Sequence, residues 1–160
     1  MSYRVKGLDP AGFAPLFALD DHELAALRAR RVIADAPRGF PCRVSLEDAA
    51  VGEALILLNH VSHSVDTPYR AAHAIYVRAA ADRAAEYVDS LPPVFAGRSL
   101  SLRGFGGDGM MVDAKLVAPG DAEAGIRALF AEPGIAYIHA HNAVYGCFSA
   151  LIERLEELAH

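Results

Sequence analysis

From Glu53 onward, short apolar or alternating runs recur, each closed off by turn residues, and this pattern constrains the fold more than any other feature of the chain. Glu53–Asn59 is a compact apolar run bounded by Gly52 and polar residues, too short for a core helix and suited to a buried strand. His73–Ala79, Leu100–Phe105, Met110–Val117 and Ile135–His141 also read as strands. Leu100 and Leu102 alternate with Ser101 and Arg103, and Val112 with Asp113. Arg31–Ala34 suits a further short strand. Pro37-Arg38-Gly39-Phe40-Pro41 breaks regular structure, and the segment between Asn59 and Ala72, with Asp66, Thr67 and Pro68, reads as an ordered surface loop.

Two helices interrupt the strands. Leu19-Asp20-Asp21-His22-Glu23-Leu24 carries an N-cap aspartate, a capping-box glutamate and a hydrophobic staple, which predicts a helix over 20–29. Asp121 is placed to cap a second helix with Ile126, Leu129 and Phe130 on one face, ending at Glu132-Pro133-Gly134. Gly146–Leu158 is read as a strand near Cys147–Ile152 followed by helical turns, on the Leu151, Leu155, Leu158 spacing. The expectation is an α+β single domain over 1–160, mainly antiparallel sheet with two to three helices. No linker or repeat divides it.

The chain is long enough for its own core, and 53% hydrophobic residues against 22% charged ones exclude a disordered or fibrous chain. A net charge of −5 with no large basic cluster removes the electrostatic footprint of nucleic-acid binding. The aliphatic run Ala54–Leu58 is far short of a membrane span, and the N-terminus has no apolar leader. Two cysteines, Cys42 and Cys147, are too few for a disulfide framework and read as reduced thiols in a cytoplasm.

Gly104, Gly106 and Gly109 have the G-x-G-x-x-G spacing of dinucleotide-binding loops, but that chemistry needs the glycines to open a helix. Here they lie between two strand-like runs, so a hairpin turn explains them. No G-x-S-x-G elbow and no phosphate-loop lysine is present, and the residues single out no cofactor.

The histidines carry the remaining signal. His60, His63 and His73 lie close in sequence, while period two puts His139 and His141 on one strand face with Tyr137. The preferred reading is a pocket for a small polar or anionic molecule, in which His60, Tyr69, Arg70, His139 and Asn142 converge. A second is a zinc-like metal site from His60, His63, His139 and His141 with Asp66 or Cys42 nearby. A third is a nucleophilic Cys42 beside the Arg43 cation, with Cys147 a buried small hydrophobe. A non-enzymatic interaction module or homodimer is the competing class. Each polar residue also has a plain structural role: histidines capping loop carbonyls, Tyr69 packing beside Pro68, Arg70 solvated, Asn142 closing a turn.

Phe40-Pro41-Cys42-Arg43, Asp66-Thr67-Pro68-Tyr69-Arg70 leading to Ile75-Tyr76-Val77, Leu91-Pro92-Pro93, and Ala143-Val144-Tyr145-Gly146-Cys147-Phe148 occur in this order. Together they resemble the bacterial domain-of-unknown-function family 1203, over about Phe40 to Glu153, leaving residues 1–39 as an N-terminal strand/helix extension. The resemblance implies no activity. It places Cys42, Arg43, Pro68, Tyr69, His139, Asn142, Gly146 and Cys147 in the family-like pattern. It also implies arginine more often at the position of His141, which favours an anion pocket over a metal site.

Overall fold

Tyr3 and Val5 alternate with Ser2, Arg4 and Lys6, and this period-two pattern makes the first strand, β1 (Ser2–Lys6), with its two apolar side chains fully buried. In the computed structural model, which describes residues 1–156, two 3₁₀ turns follow, and then α1 (Asp21–Ala26). The capping box is complete, with the Glu23 amide donating to Asp20 and the Asp20 amide to the Glu23 carboxylate. The helix is shorter than its sequence signal. Arg28 adopts a left-handed φ of 56°, which reverses the chain so that Ala29 can pair with Leu58. Strand β2 (Ala29–Ile33) therefore begins inside the expected helix.

β3 (Ala54–His63) and β4 (Ala71–Arg78) form a hairpin that, with β2, makes a three-stranded sheet in the order β2-β3-β4. The expected loop over 60–72 is strand at both ends. His60 pairs with His73 and Val61 with Ala72, and a bulge before His63 absorbs the irregularity, leaving only 64–70 as the connection. Polar side chains at alternating positions do not disturb a ladder held by backbone groups, so polarity was a poor guide to its end.

β5 (Glu86–Val88), β6 (Leu100–Phe105), β7 (Met111–Val117), β8 (Tyr137–Asn142) and β9 (Phe148–Leu155) join β1 in a six-stranded antiparallel sheet ordered β5-β1-β9-β8-β6-β7. Gly104, Gly106 and Gly109 belong to the β6–β7 hairpin, where Gly109 takes a φ of 81° and its amide donates to the Gly106 carbonyl. The expected helical turns after Ile152 are strand as far as Leu155. There Ile152 and Glu153 alternate inward and outward between β8 and β1, while Leu158 lies outside the described residues. α2 (Ala122–Phe130) starts where expected, although the Asp121 side chain makes no capping bond.

Period two gives the large sheet two different faces. Leu100, Leu102, Ile138, Ala140, Ala150 and Ile152 pack with Ile126, Leu129 and Phe130 of α2 in the main core. Ser101, Arg103, Phe105, Tyr137, His139 and His141 lie on the opposite side. The rings of His139 and His141 approach His63 and His73 of the small sheet, at 4.9 and 4.8 Å between centroids. The segment 41–44 ties the sheets together: the Arg43 amide donates to Tyr76, the Leu8 amide to Arg43, and the Ala85 amide to Val44. The result is an α+β fold with a large sheet, a small sheet and a polar seam between them.

Candidate functional site

The seam opens at one end into a cleft of about 880 Å³, lined by β3 and β4 residues including His73 and Tyr76, by Pro41 and Arg43, by 97–99, and by the turn 142–147. That turn follows β8 directly. The Gly146 amide donates to the Asn142 carbonyl at 2.7 Å, and the Asn142 amide to Cys147 at 2.9 Å, so the turn places Cys147 back beside Asn142.

Arg43 anchors the cleft. Its side chain is 2% exposed and donates through Nε to the Phe148 carbonyl at 2.8 Å, through one terminal nitrogen to the Pro41 carbonyl at 2.5 Å, and through the other to Cys147 Sγ at 3.0 Å. Three of the five N–H groups a guanidinium carries are thus used. Among the described residues no carboxylate pairs with it. Burial lowers the Arg43 pKa, with the two cysteines opposing that effect. Arg98, by contrast, is neutralised. It grips Asp48 through both terminal nitrogens at 2.7 and 3.0 Å; burial works to raise the Asp48 pKa, and this fork outweighs it, holding the carboxyl below its ordinary value.

Burial disfavours the charged form of His73, His139 and His141. Burial pushes His141 down to about 4, and the Arg103, His73 and Arg43 charges add to that effect against a hydrogen bond donated by its Nδ1 to Gly146. His139 falls to about 3 by burial, with His63, His141, His73 and Arg103 in support. His73 is lowered by burial and then by Arg103 and Arg43, and its Nδ1 shares a hydrogen bond with Ser62 Oγ at 3.0 Å. Arg103, paired in register with His139, is itself lowered by burial. Among the described residues, none of these side chains forms an ion pair or hydrogen bond with a carboxylate.

Asn142 is 7% exposed and lines the cleft. Its amide nitrogen lies 3.8 Å from Cys147 Sγ, and its Oδ1 is buried without a hydrogen-bond partner. Tyr145, 90% exposed, stands at the rim with Val144.

Of the candidate site residues Cys42, Arg43, His60, Tyr69, Arg70, His139 and Asn142, the structure brings Arg43 and Asn142 to the lining of this cleft and leaves the rest off it. His60 packs edge-on against Phe13 at 5.5 Å. Tyr69, on the 64–70 connection, lies against Phe105, and Arg70 donates to Ser64. His139 lies behind the cleft, beside a shallower one of about 490 Å³ with His63, Tyr137 and Glu153. There His63 Nδ1 donates to the Tyr69 carbonyl at 2.8 Å, and its Nε2 accepts from Tyr137 Oη at 2.6 Å.

The expected four-histidine metal set is not assembled. Both His63 nitrogens are engaged and His60 faces Phe13. Among the described residues no three His, Cys, Asp or Glu side chains are placed to hold an ion. A nucleophilic Cys42 would need an open thiol, and the fold closes it off. Cys42 is 0% exposed, its sulfur accepting from the Val44, Ser45 and Arg78 amides, whereas Cys147, expected to be buried, is partly open. Sequence reasoning passed over His73 and Cys147 as cleft residues, and Arg103 as a residue of the seam. For Arg103 a signal existed, since period two sets it on the same face as Phe105.

Fold and site together define an α+β domain of two antiparallel sheets with a carboxylate-poor arginine and histidine seam. The chain belongs to the family described as "Protein of unknown function (DUF1203)", which matches residues 39–154. No curated protein and no solved structure matches it. Among the described residues, no helix is long and apolar enough to cross a membrane.

Proposed function

We propose that the cleft between the sheets binds a small anionic or polar molecule. One observation carries this reading: Arg43, Arg103, His73 and His141 share the seam, and among the described residues none of the four forms an ion pair or hydrogen bond with a carboxylate. A buried guanidinium without a counter-ion is costly, and a ligand that brings the negative charge offsets that cost. Arg43 has N–H groups left after its three bonds, and Asn142 supplies an acceptor. The imidazoles, uncharged at neutral pH, can donate or accept without adding to the desolvation cost.

Binding of inorganic phosphate, followed by amide and side-chain shifts in NMR spectra, tests this reading. Saturable shifts confined to Arg43, His73, Asn142 and Cys147 are expected. Shifts that are absent, or that grow linearly with phosphate across the whole surface, refute it.

The β7 edge favours a second reading, an association surface, because Leu116 is 76% exposed there and Val112 and Met110 are also open. Sedimentation that shows a monomer at all concentrations excludes it.

A further inference from the structure

We propose that Cys147 is a nucleophile that a small hydroperoxide oxidises in the cleft, an inference that rests on the reading of this cleft as a ligand site. A cysteine alone says little, but two independent features converge on this sulfur. The Arg43 guanidinium, itself buried and without a carboxylate, donates to Sγ at 3.0 Å, so that negative charge on sulfur is matched by the nearest cation. Asn142, whose amide nitrogen lies 3.8 Å from the sulfur, buries an Oδ1 that accepts nothing. An acceptor orphaned in this way calls for a ligand that brings an O–H, and the unused guanidinium N–H groups call for one that brings oxygen acceptors. A hydroperoxide has both.

The step balances without further reagents. A lone pair on Cys147 Sγ attacks the hydroxyl oxygen of the hydroperoxide, the S–O bond forms and the O–O bond breaks. The sulfur is oxidised to a sulfenic acid, the peroxide is reduced to an alcohol or water, and the thiol proton ends on the departing oxygen. The O–H of the sulfenic acid then meets the Asn142 Oδ1, and the departing oxygen takes an Arg43 N–H. Cys42 is the built-in control, since it is fully buried and its sulfur is already an acceptor for three backbone amides.

Hydrogen peroxide below stoichiometry, with dimedone as the trap and mass spectrometry of both cysteine peptides, reads this chemistry in the full chain. Adduct is expected on Cys147 and not on Cys42, forming at least about tenfold faster than on Cys147 of the urea-unfolded chain. Arg43→Lys is expected to slow it. Because that variant disturbs a buried anchor, Asn142→Asp serves as the second, setting a carboxylate against the sulfur and slowing trapping by about tenfold in a chain whose circular dichroism is unchanged. Reaction at Cys147 no faster than in the unfolded chain, or equal labelling of Cys42, overturns the proposal. Phosphate titration of Cys147→Ser separates the two readings. Retained phosphate binding with slow oxidation of the unmodified protein sinks the thiol chemistry alone, and loss of phosphate binding in every form sinks the anion site.

Discussion

Acidification from pH 7.5 to 5 should remove about 4 kcal/mol of stability, a large share of what a domain of this size has. The cause is the neutral burial of His139 and His141, held at about 3 and about 4 against an ordinary 6.5. Both folded values are depressed, so the unfolded chain binds protons that the folded chain refuses. Stability is complete above 6.5 and falls as pH drops toward the folded values. At pH 5 each unfolded imidazole has gained about 1.5 pH units of protonation at 1.36 kcal/mol per unit, or about 2 kcal/mol each. Neither ring titrates in the folded protein at that pH, so the two contributions add. His60 and His73, also lowered by burial, act in the same direction.

The carboxylates do not confuse this window. Asp48, Glu53 and Asp89 are held below their ordinary values, and what they contribute is lost only below about pH 4. Urea unfolding followed by circular dichroism should show the midpoint falling by about 2 M for a slope of about 2 kcal/mol per molar. The double variant His139→Gln/His141→Gln should lose most of this dependence whatever its own stability. A difference below about 1 kcal/mol between the two pH values in the unmodified protein would refute the account.

Gly7→Ala should cost more than about 2 kcal/mol, because the new Cβ falls 1.9 Å from the Val44 carbonyl oxygen, backbone that no rotamer change can move aside. Thermal melting checks it. Tyr137→Phe leaves His63 Nε2 buried without its 2.6 Å donor and should cost about 1–3 kcal/mol, read by urea unfolding at pH 7.5. Asp20→Ala removes the bond accepted from the Glu23 amide and should cost about 1 kcal/mol, with hydrogen exchange rising in α1 before the sheets.

The strands legible in the sequence were those whose alternation separates a packed face from an open one, such as Leu100 and Leu102 against Ser101 and Arg103. β8 fell short only at its margins. The 60–63 stretch was misread because both faces of that ladder carry polar residues, so composition signalled a loop where hydrogen bonding continues. α1 was overextended because nothing local announces that Arg28 turns left-handed; the pairing of the next residue, Ala29, with Leu58 decides that from far along the chain. The site was legible as an inventory and not as an arrangement. His139 and His141 were correctly set on one face, yet which residues meet them depends on how the small sheet lies over the large one. That relation is fixed by the 41–44 crosslinks, and no period reports it. The plain structural roles fared well: His63 and His141 both donate to loop carbonyls, and Asn142 closes its turn.

The position of β1 bears on where this protein can be cut. Family likeness begins at residue 39, but β1 is an interior strand, flanked by β9 on one side and β5 on the other. A fragment trimmed to the matched region would strand β5 without a neighbour, strip β9 of its ladder partner along Leu151–Leu155, and take Tyr3 and Val5 out of the main core. The stretch that identifies the lineage is therefore smaller than the stretch that must fold together, and any minimal version of this protein has to keep its first six residues.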